Sequence, residues 1–140
     1  MKHSIVLAGL GKRGRTHLKG ILENPDRFTL VGIYDPSPEA VKKACDDFNV
    51  NCVFSSAEEM LSKTKPDVLV FVTHPEIRME YIDLGIKYNV KGIAFEKPMA
   101  TTLTDAREMT KKCLDNNIKA IISHQQKYLK QMQQMYTCIR

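Results

Sequence analysis

Six short segments of this 140-residue chain run apolar with little alternation: 4–8, 28–34, 51–54, 68–72, 92–95 and 119–123. A strand with one wet face alternates apolar and polar residues; a continuous run belongs to a strand buried on both faces, as in a parallel sheet. Parallel strands must be re-entered from the same end, so each pair needs a crossover, usually a helix. Helical spacing fills the gaps at 13–23, 38–48, 57–63, 76–88 and 105–116. Ser37 followed by Pro38 and Glu39 is a helix start, Ser56 and Glu59 have capping-box spacing, and Thr104 is the expected cap of the 105–116 helix. Strand–helix alternation with right-handed crossovers predicts an α/β fold: a doubly wound, six-stranded parallel sheet with helices on both faces. One domain over residues 1–126 accounts for the pattern. Residues 127–140 follow as a connection, with a helix at 128–139. Its stripe of Tyr128, Leu129, Met132, Met135, Tyr136 and Ile139 recurs at helical period.

The first strand runs directly into Gly9-Leu10-Gly11-Lys12-Arg13-Gly14, which fits Gly-x-Gly-x-x-Gly. Such a pattern occurs by chance in loops, but here it joins a strand to a helix, and Asp35 ends the next strand 21 residues after Gly14. Together these form a dinucleotide-binding fingerprint. Gly9 permits a tight turn, Gly11 leaves room for a pyrophosphate against the backbone, and Gly14 lets helix and strand pack closely. The first amides of the helix supply donors and partial positive charge for the anion. Asp35 would accept from the adenosine ribose hydroxyls and repel a 2′-phosphate, which favours NAD; alternatively it only initiates the turn before Pro36. Lys12 and Arg13 keep NADP as the second choice of cofactor. Glu96-Lys97-Pro98 follows the fifth apolar run, at the carboxyl edge where open α/β sheets bind ligands. Lys97 there is either a surface cation or a donor to a substrate hydroxyl or carbonyl.

Composition narrows the function further. Lys and Arg number 21 against 16 Asp and Glu, giving a net charge of +5. The basic excess lies near the two ends, without the aromatic-interleaved patch of a nucleic-acid binder. No apolar run approaches the ~20 residues of a membrane span, and the N-terminus lacks the form of a secretory signal. Cys45, Cys52, Cys113 and Cys138 have no metal-ligand spacing, so no metal is expected, and reduced thiols suit a cytoplasmic protein. His17 is expected to pack or cap. His124, after the sixth run, is placed to reach the nicotinamide end.

With His17, Asp35, Thr73-His74-Pro75, Glu96-Lys97-Pro98 and His124-Gln125-Gln126-Lys127-Tyr128, the glycine motif resembles the N-terminal half of the Gfo/Idh/MocA oxidoreductases. These include glucose–fructose oxidoreductase and inositol dehydrogenases. The resemblance implies a Rossmann domain that serves hydride transfer between NAD(P) and a sugar, polyol or related hydroxy compound. It implies that Thr73, His74 and Pro75 lie beside the cofactor, that Glu96 meets the nicotinamide ribose, and that Lys97 touches cofactor and substrate, as the one catalytic residue of this half. Met79 stands where the family often has His, and Lys127 where it usually has Arg. Family members continue into an α+β domain that holds the substrate and the acid–base pair. Cofactor binding without turnover is therefore expected of residues 1–140 alone. A non-catalytic NAD(P)-binding regulatory module is the alternative, and a homodimer through residues 128–139 is a further expectation.

Overall fold

The computed structural model describes residues 1–139; the side chains of Lys127, Tyr136 and Ile139, and all of Arg140, lie outside the described residues. Five strands form one sheet: β1 (His3–Ala8), β2 (Phe28–Tyr34), β3 (Val68–Phe71), β4 (Gly92–Glu96) and β5 (Lys119–Ser123). Their order is β2-β1-β3-β4-β5, and every neighbouring pair is parallel. The helices are α1 (Lys12–Leu22), α2 (Pro38–Phe48), α3 (Ala57–Thr64), α4 (Arg78–Lys87), α5 (Leu103–Asp115) and α6 (Lys130–Ile139). Short 3-10 turns at Pro75–Ile77 and Gln125–Tyr128 precede α4 and α6. None of the described helices is long and apolar enough to cross a membrane.

The sheet has five strands where the sequence predicts six. Residues 51–54 touch β2 through a single parallel bridge between Val53 and Ile33. The Ile33 amide donates to the Cys52 carbonyl at 2.8 Å, and the Phe54 amide to the Ile33 carbonyl at 3.1 Å. No ladder grows from this bridge because the chain turns at once into α3. The Ser55 amide and hydroxyl donate to the Glu59 carboxylate, and Ser56 Oγ accepts from the Glu59 amide. The capping box is thus shifted on one side, its carboxylate reaching Ser55 instead of Ser56. A second expectation moves by two residues. The cap of α5 is Thr102, whose Oγ1 accepts from the Asp105 amide at 3.1 Å, while Thr104 lies inside the helix.

Alternate strand residues feed two cores, as the pleat requires. Ile5, Leu7 and Val70 face α1 and α2, packing with Leu18, Ile21 and Ala44. Val6, Leu69, Phe71, Ile93 and Phe95 face α3, α4 and α5, packing with Met60, Leu61, Ile82 and Met109. Right-handed crossovers explain the division. The chain steps outward from β1 with α1 and α2 on one face, then returns past β1 with α3, α4 and α5 on the other. Among the described residues, no crossover covers the α1 side of β4 and β5. Ile121 there is 66% exposed, and a groove of about 820 Å³ runs over Val70, Ala94 and Ile121. On α6 and the turn before it, Tyr128, Leu129 and Met135 are exposed.

The amino edge of the sheet is tied by Asp67, just before β3. Its carboxylate accepts from the Ser4 amide at 3.0 Å, the Ser4 hydroxyl at 3.1 Å and Lys91 Nζ at 2.6 Å, joining the starts of β1, β3 and β4. The Lys91 and Ser4 bonds, Lys91 foremost, bring its pKa down to about 2. A depressed carboxylate stabilises the fold above its unfolded pKa of about 4 and loses that contribution as pH falls through the folded value. Asp67→Ala is expected to cost roughly 1–3 kcal/mol near neutrality, because the Ser4 amide loses its acceptor. Thermal melts of both proteins should show the gap narrowing as the buffer is taken from pH 5 towards pH 2. A gap that widens on acidification would contradict this assignment.

Candidate cofactor-binding site

Every strand of a parallel sheet ends at the same edge, so the loops after β1, β2, β3 and β4 meet there. Three glycines after β1 behave differently from one another. Gly9 has φ +91°, and a Cβ on it would stand 2.3 Å from the Val72 carbonyl oxygen. A Cβ on Gly14 would stand 1.9 Å from the Gly9 carbonyl oxygen. Both are required by the protein itself, for the turn and for close packing of α1 on β1. A Cβ on Gly11 would meet nothing within 4 Å. The fold leaves open space at the position where the fingerprint calls for close approach of a pyrophosphate. Gly11 is also the N-cap of α1, so the amides of the first turn point out of the helix end without intrahelical acceptors.

Asp35 follows β2 directly, beside this loop. Its Oδ2 accepts from the Leu10 amide at 2.6 Å and its Oδ1 from the Ser37 amide at 2.8 Å. The carboxylate is held against the glycine loop by backbone donors, and two more lone-pair positions remain. Lys12 is exposed at the start of α1. Arg13 extends the other way: its Nε lies 2.8 Å from Glu96 Oε1, on the β4 side. The guanidinium that kept NADP in consideration is therefore engaged away from Asp35.

Glu96 is the hub of the second half. It is 6% exposed at the end of β4. Arg13 Nε at 2.8 Å, His17 Nε2 at 2.8 Å and Gln125 Nε2 at 3.1 Å all meet its Oε1. An ionised carboxylate only accepts, so His17 Nε2 carries the proton in this contact. Burial raises the pKa of Glu96, but the His17 and Arg13 hydrogen bonds and the Arg13 charge outweigh it and hold the carboxyl at about 2. Glu96 is therefore an anion at neutral pH. A cleft of about 490 Å³ opens beside it, lined by Arg13, Val72, Lys97 and Gln125 as well. Lys97 is exposed and joined to Pro98 by a cis peptide.

The Thr73 hydroxyl is buried and has no hydrogen-bond partner, in the loop after β3. Buried hydroxyls are normally satisfied, so this orphan marks a place where a ligand can supply the missing partner. Pro75 is half-buried beside it, and His74 is exposed. His124 is exposed before the last 3-10 turn, and its neighbour Gln125 reaches Glu96 instead. His17, expected only to pack or cap, has a polar role. Its signal was available: Arg13 and His17 are four residues apart and share one face of α1.

The oxidoreductase family described as having an NAD-binding Rossmann fold, Gfo/Idh/MocA, matches this chain over residues 3–124. The chain belongs to that family. Among curated relatives, 4-hydroxy-tetrahydrodipicolinate reductase from Geobacillus kaustophilus is 28% identical over 125 residues, covering 86% of this chain and 46% of that protein. D-apiose dehydrogenase from Paraburkholderia graminis is 29% identical over 107 residues, covering 76% and 28%. The WlbA dehydrogenase from Bordetella pertussis, solved with NADH and UDP-GlcNAcA, superposes with a TM-score of 0.89 at 27% identity, over 99% of this chain and 42% of that one. An oxidoreductase from Agrobacterium radiobacter, solved with NAD+, L-tartaric acid and magnesium, shares the fold at a TM-score of 0.90 and 16% identity, over 99% and 40%. The chain spans less than half the length of these relatives.

The glycines allow a sharp test. Gly11→Ala should fold normally, with a stability change under about 1 kcal/mol at this helix-cap position, and lose NADH affinity because its methyl fills the open cradle. Gly14→Ala should fail on both counts, since its methyl collides with backbone. Melting curves and NADH titrations of the two variants check this; a Gly11→Ala protein with undiminished NADH affinity would disprove the cradle.

Proposed function

We propose that this chain is the cofactor-binding half of an oxidoreductase that transfers hydride between a nicotinamide cofactor and a sugar, polyol or related hydroxy compound. The observation that carries the reading is the open cradle at Gly11 with the Asp35 carboxylate fixed beside it. The α1 amides would receive the pyrophosphate, and Asp35 the adenosine ribose hydroxyls. Three donors on Glu96 Oε1 leave Oε2 to accept from the nicotinamide ribose. Thr73, His74 and Pro75 would line the ring's side of the site, with His124 near the same end. NAD+ when bound supplies the hydride acceptor, and NADH the donor. Lys97 Nζ donates a hydrogen bond to the substrate oxygen, which steadies charge there as the C–H bond breaks or forms.

The chain's span of under half its relatives supports a second domain that holds the substrate and the main proton acceptor. Residues 127–140 would then connect to it, and the exposed Tyr128, Leu129 and Met135 would be covered by it, or by a second copy where it is missing. Residues 1–140 alone bind cofactor and do not turn over. The cytoplasm is the compartment that suits four unpaired cysteines.

Asp35 sets the preference for NAD. Replacing it with Ala should weaken NADH by the loss of charge-assisted bonds worth roughly 1.5–3 kcal/mol, about ten- to a hundredfold, and narrow the gap to NADPH. Energy transfer from tyrosine to the reduced nicotinamide reads both titrations. Equal or tighter NADPH binding by the wild-type chain would refute the assignment.

Lys97 is tested differently, because its role is in the reaction. In a protein that carries both domains, Lys97→Ala should leave NADH affinity within a few-fold and remove most of kcat. Normal kcat in that variant would reduce Lys97 to a surface cation.

A further inference from the structure

Arg78 is the first residue of α4, and it is 2% exposed. Both facts are unusual. A cation in the first turn opposes the positive end of the helix dipole, and a buried cation loses its hydration unless neighbours replace it. No carboxylate lies within hydrogen-bond distance of Arg78 among the described contacts. Its partners are backbone carbonyls from two loops. Nε and Nη2 donate to Thr73 O at 3.2 and 2.8 Å, and Nη1 donates to Glu96 O at 2.5 Å and to Pro98 O. The guanidinium carbon lies 5.8 Å from the centre of the Phe95 ring, which itself stacks on Phe71 at 4.9 Å.

Those two loops are Thr73-His74-Pro75 and Glu96-Lys97-Pro98, which follow the adjacent strands β3 and β4. They stand on the side of the site away from Gly11 and Asp35. A planar fork of five donors reaches three carbonyls at once, while an ammonium on a flexible stem has no such geometry. A helix that needed only a polar first turn would use a carboxylate here.

We propose that Arg78 is a positioning residue that sets the nicotinamide end of the cofactor site by pinning these two loops to one another. The inference rests on the NAD-binding reading above. Arg78 touches neither the adenosine side nor the pyrophosphate cradle, so its loss should be felt by one half of the dinucleotide only. ADP carries the adenosine and the pyrophosphate but neither the second ribose that would meet Glu96 nor the nicotinamide ring, which makes it the control ligand. Glu96 keeps its side-chain partners Arg13, His17 and Gln125 when Arg78 is changed, so the carboxylate remains charged while the backbone that carries it shifts.

The experiment is calorimetric titration of the 140-residue chain with NADH and with ADP, as wild type, Arg78→Lys and Arg78→Gln. Lysine keeps the charge without the fork. Glutamine removes the buried charge and serves one loop at most, so it keeps the test open if the lysine variant does not fold. The stoichiometry for ADP reports the folded fraction of each sample. The expected result is a roughly tenfold loss of NADH affinity in either variant with ADP unchanged within about twofold, so that the preference for NADH over ADP shrinks. The proposal is overturned if that preference is unchanged, whether both affinities fall together or neither does. It is also overturned if the wild-type chain binds the two ligands equally. A wild-type chain that binds neither ligand overturns the NAD reading itself, a result distinct from the others.

Discussion

A parallel sheet places the carboxyl ends of all its strands on one edge, and the rest of this structure depends on that constraint. The edge is made of loops, and loops need fastening. Three side chains do most of it. Asp35 ties the end of β2 to the glycine loop after β1. Glu96 ties the end of β4 to α1 through Arg13 and His17, and to the chain after β5 through Gln125. Arg78 ties the loop after β3 to the loop after β4. Asp67 performs the matching task at the opposite edge, joining β1, β3 and β4 where they begin. Apolar packing on the two faces holds the layers together, while these four charged groups set where the strand ends stand.

The same edge explains how binding and stability share residues without conflict. Glu96 is buried and charged, which is expensive unless donors surround it. Its donors come from α1 and from beyond β5, so satisfying the carboxylate also assembles the site. Thr73 is the converse case. Its hydroxyl is the one buried side-chain polar atom without a partner among the described residues, in the loop after β3. Gly11 completes the contrast with Gly9 and Gly14, for the protein makes no steric demand on it.

Much of this was legible in the sequence. Continuous apolar runs located all five strands, and the glycine motif followed by Asp35 located the turn in which Gly11 has open space and Asp35 meets the Leu10 amide. The sixth strand failed because residues 51–54 show a strand-like composition, whereas a ladder depends on how many residues stay in register beside β2. Only Val53 does, because Ser55 and Ser56 are already committed to capping α3. The α5 cap was misplaced among three threonines, although Thr102 and Asp105 have capping-box spacing and Thr104 has no such partner. Arg78 was invisible, since a cation on a helix is ordinarily solvated, and nothing local tells that it is buried under two loops. The His17–Glu96 contact spans 79 residues of sequence, and only the shared helix face of His17 and Arg13 hinted at it.

The bridge from α1 to the end of β4 has a consequence for timing. Arg13 and His17 sit on the helix whose amino end would hold the pyrophosphate, and Glu96 sits where the nicotinamide ribose would rest. The two halves of the site are therefore joined by direct hydrogen bonds before any ligand arrives. A site joined in this way favours capture of a dinucleotide at a rate set by encounter and orientation. Affinity differences among dinucleotides would consequently be expressed in how long each one stays.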